Sequence, residues 1–366
     1  MFLFNRLKNF KIMNKFYFII FLLIAFESKA QDPTFSQYFN NHQYLNPATA
    51  GSENGVRTSV NYRNQWPSLP GHFNSFTFSG DMGIKAAQGG AGILILDDRA
   101  GKNAMNTNGA YLNLQKLVRL VSKENRLCVA YFGFQSGFVQ KRLNWNNVVF
   151  TDQLDPLLGV TQATSSASPN TIQKNYADFG VGGLLRYKSY GHYSEFGLAV
   201  THLNRPNQSY YGTDSRLPMK WTMHYITQIP IANWGMDKES DTYISPSLMI
   251  EKQGYSEQLN LVALLHRNML YGGLGYRFKR LNIVGQKVDA AIVHFGVMGA
   301  YDNSYHWKIG YSYDATISGI RTSTSGTHEI SLTLEYDKLR LGKKGMLNKT
   351  KDCRDHNNTD KTLPVF

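Results

Sequence analysis

The feature that most constrains the fold is a strict two-residue alternation near the end of the chain. In the segment WKIGYSYD, which begins at Trp307, every second residue is aromatic or aliphatic, and the segment EISLTLEY, which ends at Tyr336, alternates in the same way. A period of two places apolar side chains on one face of a β-strand and polar side chains on the other. Gly, Ser and Thr dominate the residues between the two segments, which predicts a loop. The two segments are therefore predicted to form a β-hairpin.

The same alternation, closed each time by turn residues, recurs along most of the chain. It predicts strands at residues 56–65, 73–81, 88–97, 105–120, 125–139, 176–189, 192–203, 219–229, 242–252, 255–266, 268–279, 287–300, 304–315 and 326–337. Most of these segments are close to the roughly 9–11 residues that a tilted strand needs to cross a bilayer. We therefore expect an all-β fold, a transmembrane antiparallel β-barrel of about 14 strands over residues 56–337.

The N-terminus has the pattern of a secretory signal peptide. Basic residues precede the apolar run Phe16–Phe26, which is followed by Ser28, Lys29 and Ala30. Small residues at positions −3 and −1 are typical of a cleavage site. The run is too short for a membrane-spanning helix, which needs roughly 20 residues, and the sequence contains no second long apolar run. We expect residues 1–30 to be a signal peptide and the mature chain to enter a membrane only as a barrel.

Composition agrees with this class and argues against two others. The chain is rich in aromatic residues, with 22 Tyr and 21 Phe, but only 18% of its residues are charged. The negative mean hydropathy excludes a bundle of membrane helices, whereas a barrel with a polar lumen is compatible with it. The net charge of +13 is concentrated in the two terminal segments. It therefore does not form the basic stripe across folded structure that a nucleic-acid-binding face needs.

Two segments outside the strands complete the domain organisation. Residues 31–55 are polar, aromatic and without periodicity, and are predicted to be a non-strand N-terminal arm against or inside the barrel mouth. Asn46 and Pro47 would form a fixed turn near the first strand, and a disordered lead-in is the alternative. Residues 338–366 are charged and poor in apolar residues, which predicts a flexible basic tail.

The order of the strands also predicts which connections share one end of the barrel. With the first strand running outward, the long connections 140–175 and 204–218 both fall outside, as barrels prefer. The connection 230–241 is an unusually long one on the inner side. Loops on a rigid scaffold often carry recognition, and Trp145, Tyr210 and Tyr211 are candidate anchors there because aromatic side chains dominate interface energetics.

Candidate catalytic, cofactor and metal sites are not evident. Ten His residues are scattered, and none is paired with another at metal-ligand spacing. The Gly-rich segments at 89–92 and 272–275 lack the ending of a phosphate-binding loop, and no G-x-S-x-G motif occurs. Glycine inside a strand more often marks a bend or a close backbone approach. We expect no cofactor, no metal and no enzymatic activity.

Charged residues within the predicted strands are more informative. A basic side chain that faces lipid near the midplane costs about 2–4 kcal/mol, so these residues should face the lumen or the rims. Both positive and negative side chains are present. They could form a network of ion pairs that closes the lumen, or they could be separately solvated charges. The residues are Arg63, Asp81, Arg186, Glu251, Arg277 and Glu329.

Residues near the barrel seam give a second set of structural candidates. Arg63 and Trp66 belong to the first strand and its rim, where Trp suits the membrane interface. His328 and Glu329 lie on the closing strand, where their hydrogen bonds would fix the register with neighbouring strands.

Several of these segments resemble one known family. The mature start DPTFSQYFNNHQYLNPATAG, the segment NYRNQW from Asn61 and Ser79-Gly80-Asp81 are similar to the PorP/SprF family of Bacteroidetes outer-membrane proteins. The closing segments YSYD from Tyr311 and SGTHEISL from Ser325 are similar to the family's C-terminal pattern. The resemblance spans nearly the whole mature chain, and the tail after Asp337 departs from it.

The resemblance implies an outer-membrane barrel of the type IX secretion and gliding machinery. It implies a role in secretion or surface anchoring of adhesin-like proteins that carry a type B C-terminal domain, alongside other type IX components. A periplasmic peptidoglycan-binding protein is one such implied partner, and outer-membrane lipid surrounds the barrel. An outer-membrane channel or hydrophobic-solute transporter is the alternative, and a soluble exported β-protein is a third hypothesis.

Overall fold

The structure is a computed structural model that describes most of the mature chain. The described residues are 31–53, 55–101, 104–123, 126–145, 153–155, 157–160, 171–189, 192–210, 212–231, 242–279, 287–301, 304–317 and 324–336. The predicted signal peptide and the predicted basic tail lie outside the described residues.

Fourteen strands form one closed antiparallel barrel, which confirms the predicted fold class and strand number. They are β1 (Val56–Gln65), β2 (Phe73–Ile84), β3 (Gly89–Ala100), β4 (Met105–Lys123), β5 (Arg126–Asn144), β8 (Thr171–Ser189), β9 (His192–Thr201), β10 (Lys220–Pro230), β11 (Thr242–Gln253), β12 (Ser256–Arg267), β13 (Leu270–Lys279), β14 (Lys287–Tyr301), β15 (Tyr305–Thr316) and β16 (Thr327–Tyr336). A separate two-stranded hairpin, β6 (Leu154–Asp155) and β7 (Gly159–Val160), lies between β5 and β8.

The barrel closes where the first and last strands pair. Val60 lies opposite Leu332, and Arg63 lies opposite Glu329. Every strand follows its sequence neighbour around the wall, so the connections alternate between the two ends. We call the end that holds Val56 and Tyr336 the terminal end, and the opposite end, which holds the connection 202–219, the loop end.

The two faces of the wall differ as the alternation predicts. Large apolar side chains point outward and are exposed on the barrel surface, among them Ile93, Leu112, Phe132, Leu274 and Phe295. Side chains of the opposite parity are polar and buried in the lumen. This arrangement is that of a transmembrane barrel with a lipid-facing belt. The described residues include no helix that is long and apolar enough to span a membrane.

Two strands extend into the longest predicted loop. β5 continues to Asn144, and β8 begins at Thr171, so both ends of the predicted loop 140–175 are strand. The outer parts of these strands, such as Lys141, Arg142, Gln173 and Lys174, are polar on both faces. Hydrophobic alternation therefore gives no signal there, although the ladder between the strands continues.

The N-terminal arm lies inside the barrel. Its buried part runs from Phe35 to Glu53 and consists of a 3₁₀ turn (Tyr38–Asn40), a one-turn helix α1 (His42–Leu45) and a second 3₁₀ turn (Pro47–Thr49). The chain then enters β1 at the terminal end. The lumen is thus filled by a segment of the same chain.

The expected position of the Asn46–Pro47 turn is wrong. It does not lie beside β1: the Asn46 side chain donates hydrogen bonds to the carbonyl oxygens of Gly183 in β8 and Leu198 in β9, at 3.0 and 3.3 Å. The arm crosses the lumen before it reaches β1, and a turn that is close in sequence to a strand is therefore far from it in space.

Candidate functional site: the plugged lumen and the loop end

Local sequence explains how the arm folds without long helices. The Asn46 side chain accepts a hydrogen bond from the N–H of Ala48 at 2.9 Å, and Pro47 occupies the first position of the turn. Asn is a preferred capping residue, and Pro is favoured where a helical turn begins because its missing N–H would be unpaired anyway. Asn46 and Pro47 therefore fix the direction of the arm in the middle of the lumen.

A buried ionic cluster holds the start of the arm near the loop end. Both Glu329 carboxylate oxygens accept backbone hydrogen bonds, from the N–H groups of Ser36 and Gln37 at 2.8 Å each. The Arg63 guanidinium donates to Glu329 Oε2 at 2.9 Å and to Asp314 Oδ2 at 3.0 Å. The Arg63, Asp314 and Glu329 side chains are only 2%, 1% and 0% exposed. The barrel thus binds the arm backbone through a carboxylate that its own arginine neutralises.

Arg277 of β13 extends this cluster across the lumen. Its guanidinium donates to Asp314 Oδ2 at 2.6 Å, and the Ser36 hydroxyl donates to the same oxygen at 2.7 Å. One carboxylate therefore joins β13, β15 and the arm. Charge-assisted hydrogen bonds of this kind are roughly twice as strong as neutral ones.

A second cluster holds the end of the arm at β1 and β2. Arg57 forms a bidentate pair with Asp81, with both N···O distances at 3.0 Å. Asp81 also accepts from the N–H of Gly51 at 2.7 Å, and Arg57 donates to the carbonyl oxygen of Thr49 at 2.9 Å. Each partner of the ion pair thus also bonds to the arm backbone.

A third cluster connects the end of the arm to the opposite wall. Arg186 of β8 donates to Glu53 of the arm at 3.0 Å and to Glu195 of β9 at 2.7 Å. Tyr193 donates to Glu195 at 2.8 Å, and the Arg186 guanidinium carbon lies 5.4 Å from the centre of the Tyr131 ring. The three clusters place Arg63, Asp81, Arg186, Arg277 and Glu329 in ion pairs. Glu251 pairs with Lys220 at 2.9 Å, so these six predicted charges are paired and not separately solvated.

Polar contacts between the clusters reach further strands. The hydroxyls of Tyr38 and Ser247 in β11 are 2.7 Å apart, and Asn113 of β4 donates to Gln43 Oε1 at 2.7 Å. With Asn46 against β8 and β9, the arm contacts walls on all sides of the lumen.

Apolar packing adds to these polar contacts. Tyr38, Phe39 and Leu45 of the arm form a buried cluster with Met249, Val262, Leu264, Tyr271 and Met298 of the barrel wall. The Lys308 ammonium lies 5.2 Å from the centre of the Phe39 ring, a cation–π distance. The arm is therefore held by hydrophobic burial as well as by charge.

Two glycines let the arm approach the wall. A Cβ atom at Gly133 would lie 2.3 Å from the backbone nitrogen of Ala48, and one at Gly182 would lie 2.0 Å from Asn46 Oδ1. The next residue, Gly183, has nothing within 4 Å of its Cβ position. Glycine is thus required on the arm side of β8 and not on its other side.

A small cavity lies beside the arm. It has a volume of about 30 Å³, lies next to Phe39 and His42, between Tyr193, Gln228 and His266, and has room for only one or two water molecules. Burial lowers the pKa of His42 well below its usual value, and the positive charges of Arg57 and Lys308 lower it further. His42 is therefore neutral at physiological pH and adds no charge to the arm.

The sequence-predicted residues divide into two groups. Asn46, Pro47, Arg63, Asp81 and Glu329 all belong to the arm or to its contacts with the wall. Trp66, Trp145, Tyr210 and His328 lie near the loop end and are not part of the plug.

At the rim, Trp66 follows the last residue of β1, and its backbone N–H donates to the carbonyl oxygen of Gly326 at 3.0 Å. His328 lies on the outer side of β16, with Nδ1 2.8 Å from the Tyr311 hydroxyl. Trp145 follows β5, and Tyr210 lies in the connection between β9 and β10; both are partly buried. Tyr211 lies outside the described residues.

Sequence reasoning missed half of the ionic network. Ser36, Glu53, Arg57, Glu195 and Asp314 were not singled out, although each contacts a predicted residue. Parity could have found Arg57 because it lies on the same inward face of β1 as Arg63. Nothing in a linear pattern pairs Asp314 with Ser36, which is 278 residues away.

The network consists of hydrogen bonds and ion pairs that hold the arm against the wall. Among the described residues, no three His, Cys, Asp or Glu side chains are grouped as a metal site requires. The fold and the plug together define a class of protein, a transmembrane β-barrel whose lumen is filled by its own N-terminal arm.

A family model described as type IX secretion system membrane protein PorP/SprF matches residues 27–334. The chain belongs to the PorP/SprF family. None of the curated proteins matches it.

Solved structures to which the chain is similar are also outer-membrane barrels. A FadL homologue from Pseudomonas aeruginosa is 11% identical, with a TM-score of 0.38 over 81% of this chain and 94% of that chain. CdiB from Acinetobacter baumannii is 9% identical, with a TM-score of 0.43 over 77% and 60% of the two chains. The translocator domain of the autotransporter NalP from Neisseria meningitidis is 9% identical, with a TM-score of 0.34 over 82% and 96%.

Proposed function

We propose that this protein is a binding and anchoring barrel of the type IX secretion and gliding machinery in the outer membrane. In this role it supports the secretion or surface retention of adhesin-like proteins that carry a type B C-terminal domain. It acts without catalysis and without a cofactor. The observation that carries the proposal is the arm, which contacts all sides of the lumen and is held by three buried ionic clusters.

The direction of the barrel follows from its connections. The predicted signal peptide delivers the chain to the periplasm, and barrels place their short turns on that side and their long loops outside. The connections 145–170 and 202–219 are at the loop end, which we therefore assign to the cell surface. The terminal end then faces the periplasm, where a peptidoglycan-binding protein or another type IX component would bind.

The channel hypothesis requires the arm to leave the lumen. Such a movement would break the hydrogen bonds of Glu329 and Asp81 to the arm backbone and would expose the buried residues Phe39 and Leu45. Leaving a buried charge without its partners is costly. The same contacts favour a stable surface for recognition, so we place client binding on the outer loops and not in the lumen.

The outer connections supply the aromatic side chains for recognition. Trp145 and Tyr210 lie on segments that the rigid ends of β5, β9 and β10 support, and Tyr211 is next to Tyr210 in the sequence. Aromatic residues on a rigid scaffold are effective anchors in protein interfaces. We assign client contact to this region of the loop end.

Deleting residues 150–170 is expected to release client protein into the medium because the deletion removes most of the outer connection between β5 and β8, next to Trp145, and spares both strands. The measurement is the amount of secreted adhesin-like protein on cells and in medium, together with barrel abundance in outer membranes. Deletion of residues 281–286, in the connection between β13 and β14 at the same end, is the matched control and should leave the client on cells. If clients remain on cells that lack 150–170 while the barrel is present, the anchoring assignment is wrong.

A further inference from the structure

At the loop end, β8 extends beyond its neighbour β9, and one edge of β8 is left without a paired strand there. β8 pairs with β5 along its full length, from Thr171 opposite Asn144 to Ser189 opposite Arg126. On its other side, the pairing with β9 begins only at Val181. The outer half of β8, residues 171–180, therefore has one edge that no described barrel strand covers.

The connection after β9 covers only the lower part of this edge. The N–H of Leu203 donates to the Phe179 carbonyl at 2.9 Å, and the Asn204 side chain donates to the Ala177 carbonyl at 2.7 Å. Alternate residues of a strand direct their backbone groups to the same side. Asn175 and Gln173 share the parity of Ala177, so their N–H and C=O groups point to the same open side.

The upper part of the edge has no backbone partner among the described residues. The side chains of Gln173 and Asn175 are exposed. They point away from the lumen, on the side where Phe179 and Val181 are exposed nearer the middle of the barrel. Polar residues at these positions put the segment above the lipid-facing belt. An exposed strand edge of this kind is a template for pairing with another chain.

Charge on the lumen side of the same segment indicates what the partner carries. Lys141 of β5 lies directly opposite Lys174 of β8, and like charges in this position destabilise a strand pair. Lys141 donates to the side chain of Gln208. Within the described part of the chain, no carboxylate lies within ion-pair distance of Lys174. An acidic side chain next to Lys174 would relieve the repulsion.

We infer that residues Gln173–Ala177 form a β-augmentation site, to which an extended segment of the secreted client adds as a strand. The backbone of Gln173 and Asn175 would supply the hydrogen bonds, which give affinity with little dependence on sequence. Lys174 would select a segment with an acidic residue on the lumen side. This inference rests on the proposed function for the identity of the partner and for the assignment of the loop end to the cell surface.

The edge is tested on the purified full-length protein with two synthetic peptides. The probes are fluorescein-labelled decapeptides of alternating Thr and Asp or alternating Thr and Lys, and the measurement is fluorescence anisotropy. The acidic peptide is expected to bind about tenfold more tightly than the basic one, since opposite charges and backbone pairing both favour it. Lys174→Glu is expected to reverse this preference.

A matched pair of variants isolates the backbone contribution. Asn175→Pro removes one N–H from the open edge and places a ring there. The backbone of Asn175 makes no ladder hydrogen bond to β5, so the pairing of β5 with β8 is kept. This variant is expected to weaken acidic-peptide binding about tenfold, whereas Asn175→Ala should stay within about twofold because it keeps the N–H. Barrel folding is checked by gel mobility without heating. If Asn175→Pro does not fold, Lys174→Glu decides the question alone.

Equal binding of the two peptides to the wild-type protein, or an unchanged affinity in Asn175→Pro, would overturn the site. Client retention in cells that carry Asn175→Pro then separates this inference from the proposed function. Loss of retention with normal barrel abundance supports both. If the variant cells retain the client as wild-type cells do, while the wild-type protein still discriminates between the two peptides, the client is not the occupant of the edge. The anchoring role is then judged by the loop deletion alone.

Discussion

Replacing Glu329 with Gln is expected to lower the free energy of unfolding by about 3–5 kcal/mol, the usual cost of breaking a buried ion pair. Glu329 is fully buried, pairs with Arg63 at 2.9 Å and accepts the N–H groups of Ser36 and Gln37. Gln has the same shape, but one of its two polar atoms is a donor. It would therefore face an N–H group or the guanidinium with another donor, and Arg63 would lose part of its compensating charge.

The measurement is the midpoint of urea-induced unfolding of the protein in lipid vesicles. Lys252→Gln is the matched control because Lys252 forms an ion pair with Glu257 at 2.6 Å but is 58% exposed. Exposed pairs contribute only about 0–1 kcal/mol. A loss of less than about 1 kcal/mol in Glu329→Gln would show that the cluster does not hold the arm.

Deleting residues 33–50 is expected to convert a non-conducting barrel into an open pore. This deletion removes Asn46 and the arm residues that bind Glu329, Ser36 and Gln37, and it leaves the wall strands intact. Barrels of slightly greater strand number than this one leave an aqueous channel when their lumen is not filled. The measurement is current across a planar bilayer, where the intact protein should give no stepwise conductance and the deletion variant should give discrete steps.

A second variant addresses the case in which the deleted protein does not fold. Glu329→Gln combined with Asp81→Asn keeps every residue of the arm but weakens its hydrogen bonds at both ends. We expect brief openings in this variant. Steady conductance of the intact protein, equal to that of the deletion variant, would contradict the plugged lumen and favour the channel hypothesis.

The wall of the barrel was predictable because its signal is local. Each strand has one face toward the polar lumen and the other toward lipid, so alternation such as that of Ile309, Tyr311 and Tyr313 is visible without knowledge of the neighbours. The prediction failed where this contrast ends. Above the belt, both faces of β5 and β8 meet water, and residues such as Gln173 and Lys174 no longer alternate in hydrophobicity.

The path of the arm could not be predicted because its signal is not local. The aromatic residues of the segment 31–55 indicated an arm against or inside the barrel, and Asn46 with Pro47 indicated a turn, and both features are present. Which wall each residue contacts depends on glycines far away in the sequence, such as Gly133 and Gly182. The role of Glu329 was likewise underestimated: hydrogen bonds to neighbouring strands were expected, but its carboxylate chiefly binds the arm backbone.

The most direct test of the account is the accessibility of the arm in the folded protein. A single Cys is introduced as Asn41→Cys, at a buried arm position, or as Asp214→Cys, at an exposed position in the connection after β9. Cys128 and Cys353 are replaced with Ser in both. Reaction with a polyethylene-glycol maleimide is followed by gel shift in lipid vesicles, before and after urea. A plugged lumen predicts rapid labelling at position 214 and labelling at position 41 only after unfolding. Equally rapid labelling at both positions in the folded protein would contradict it.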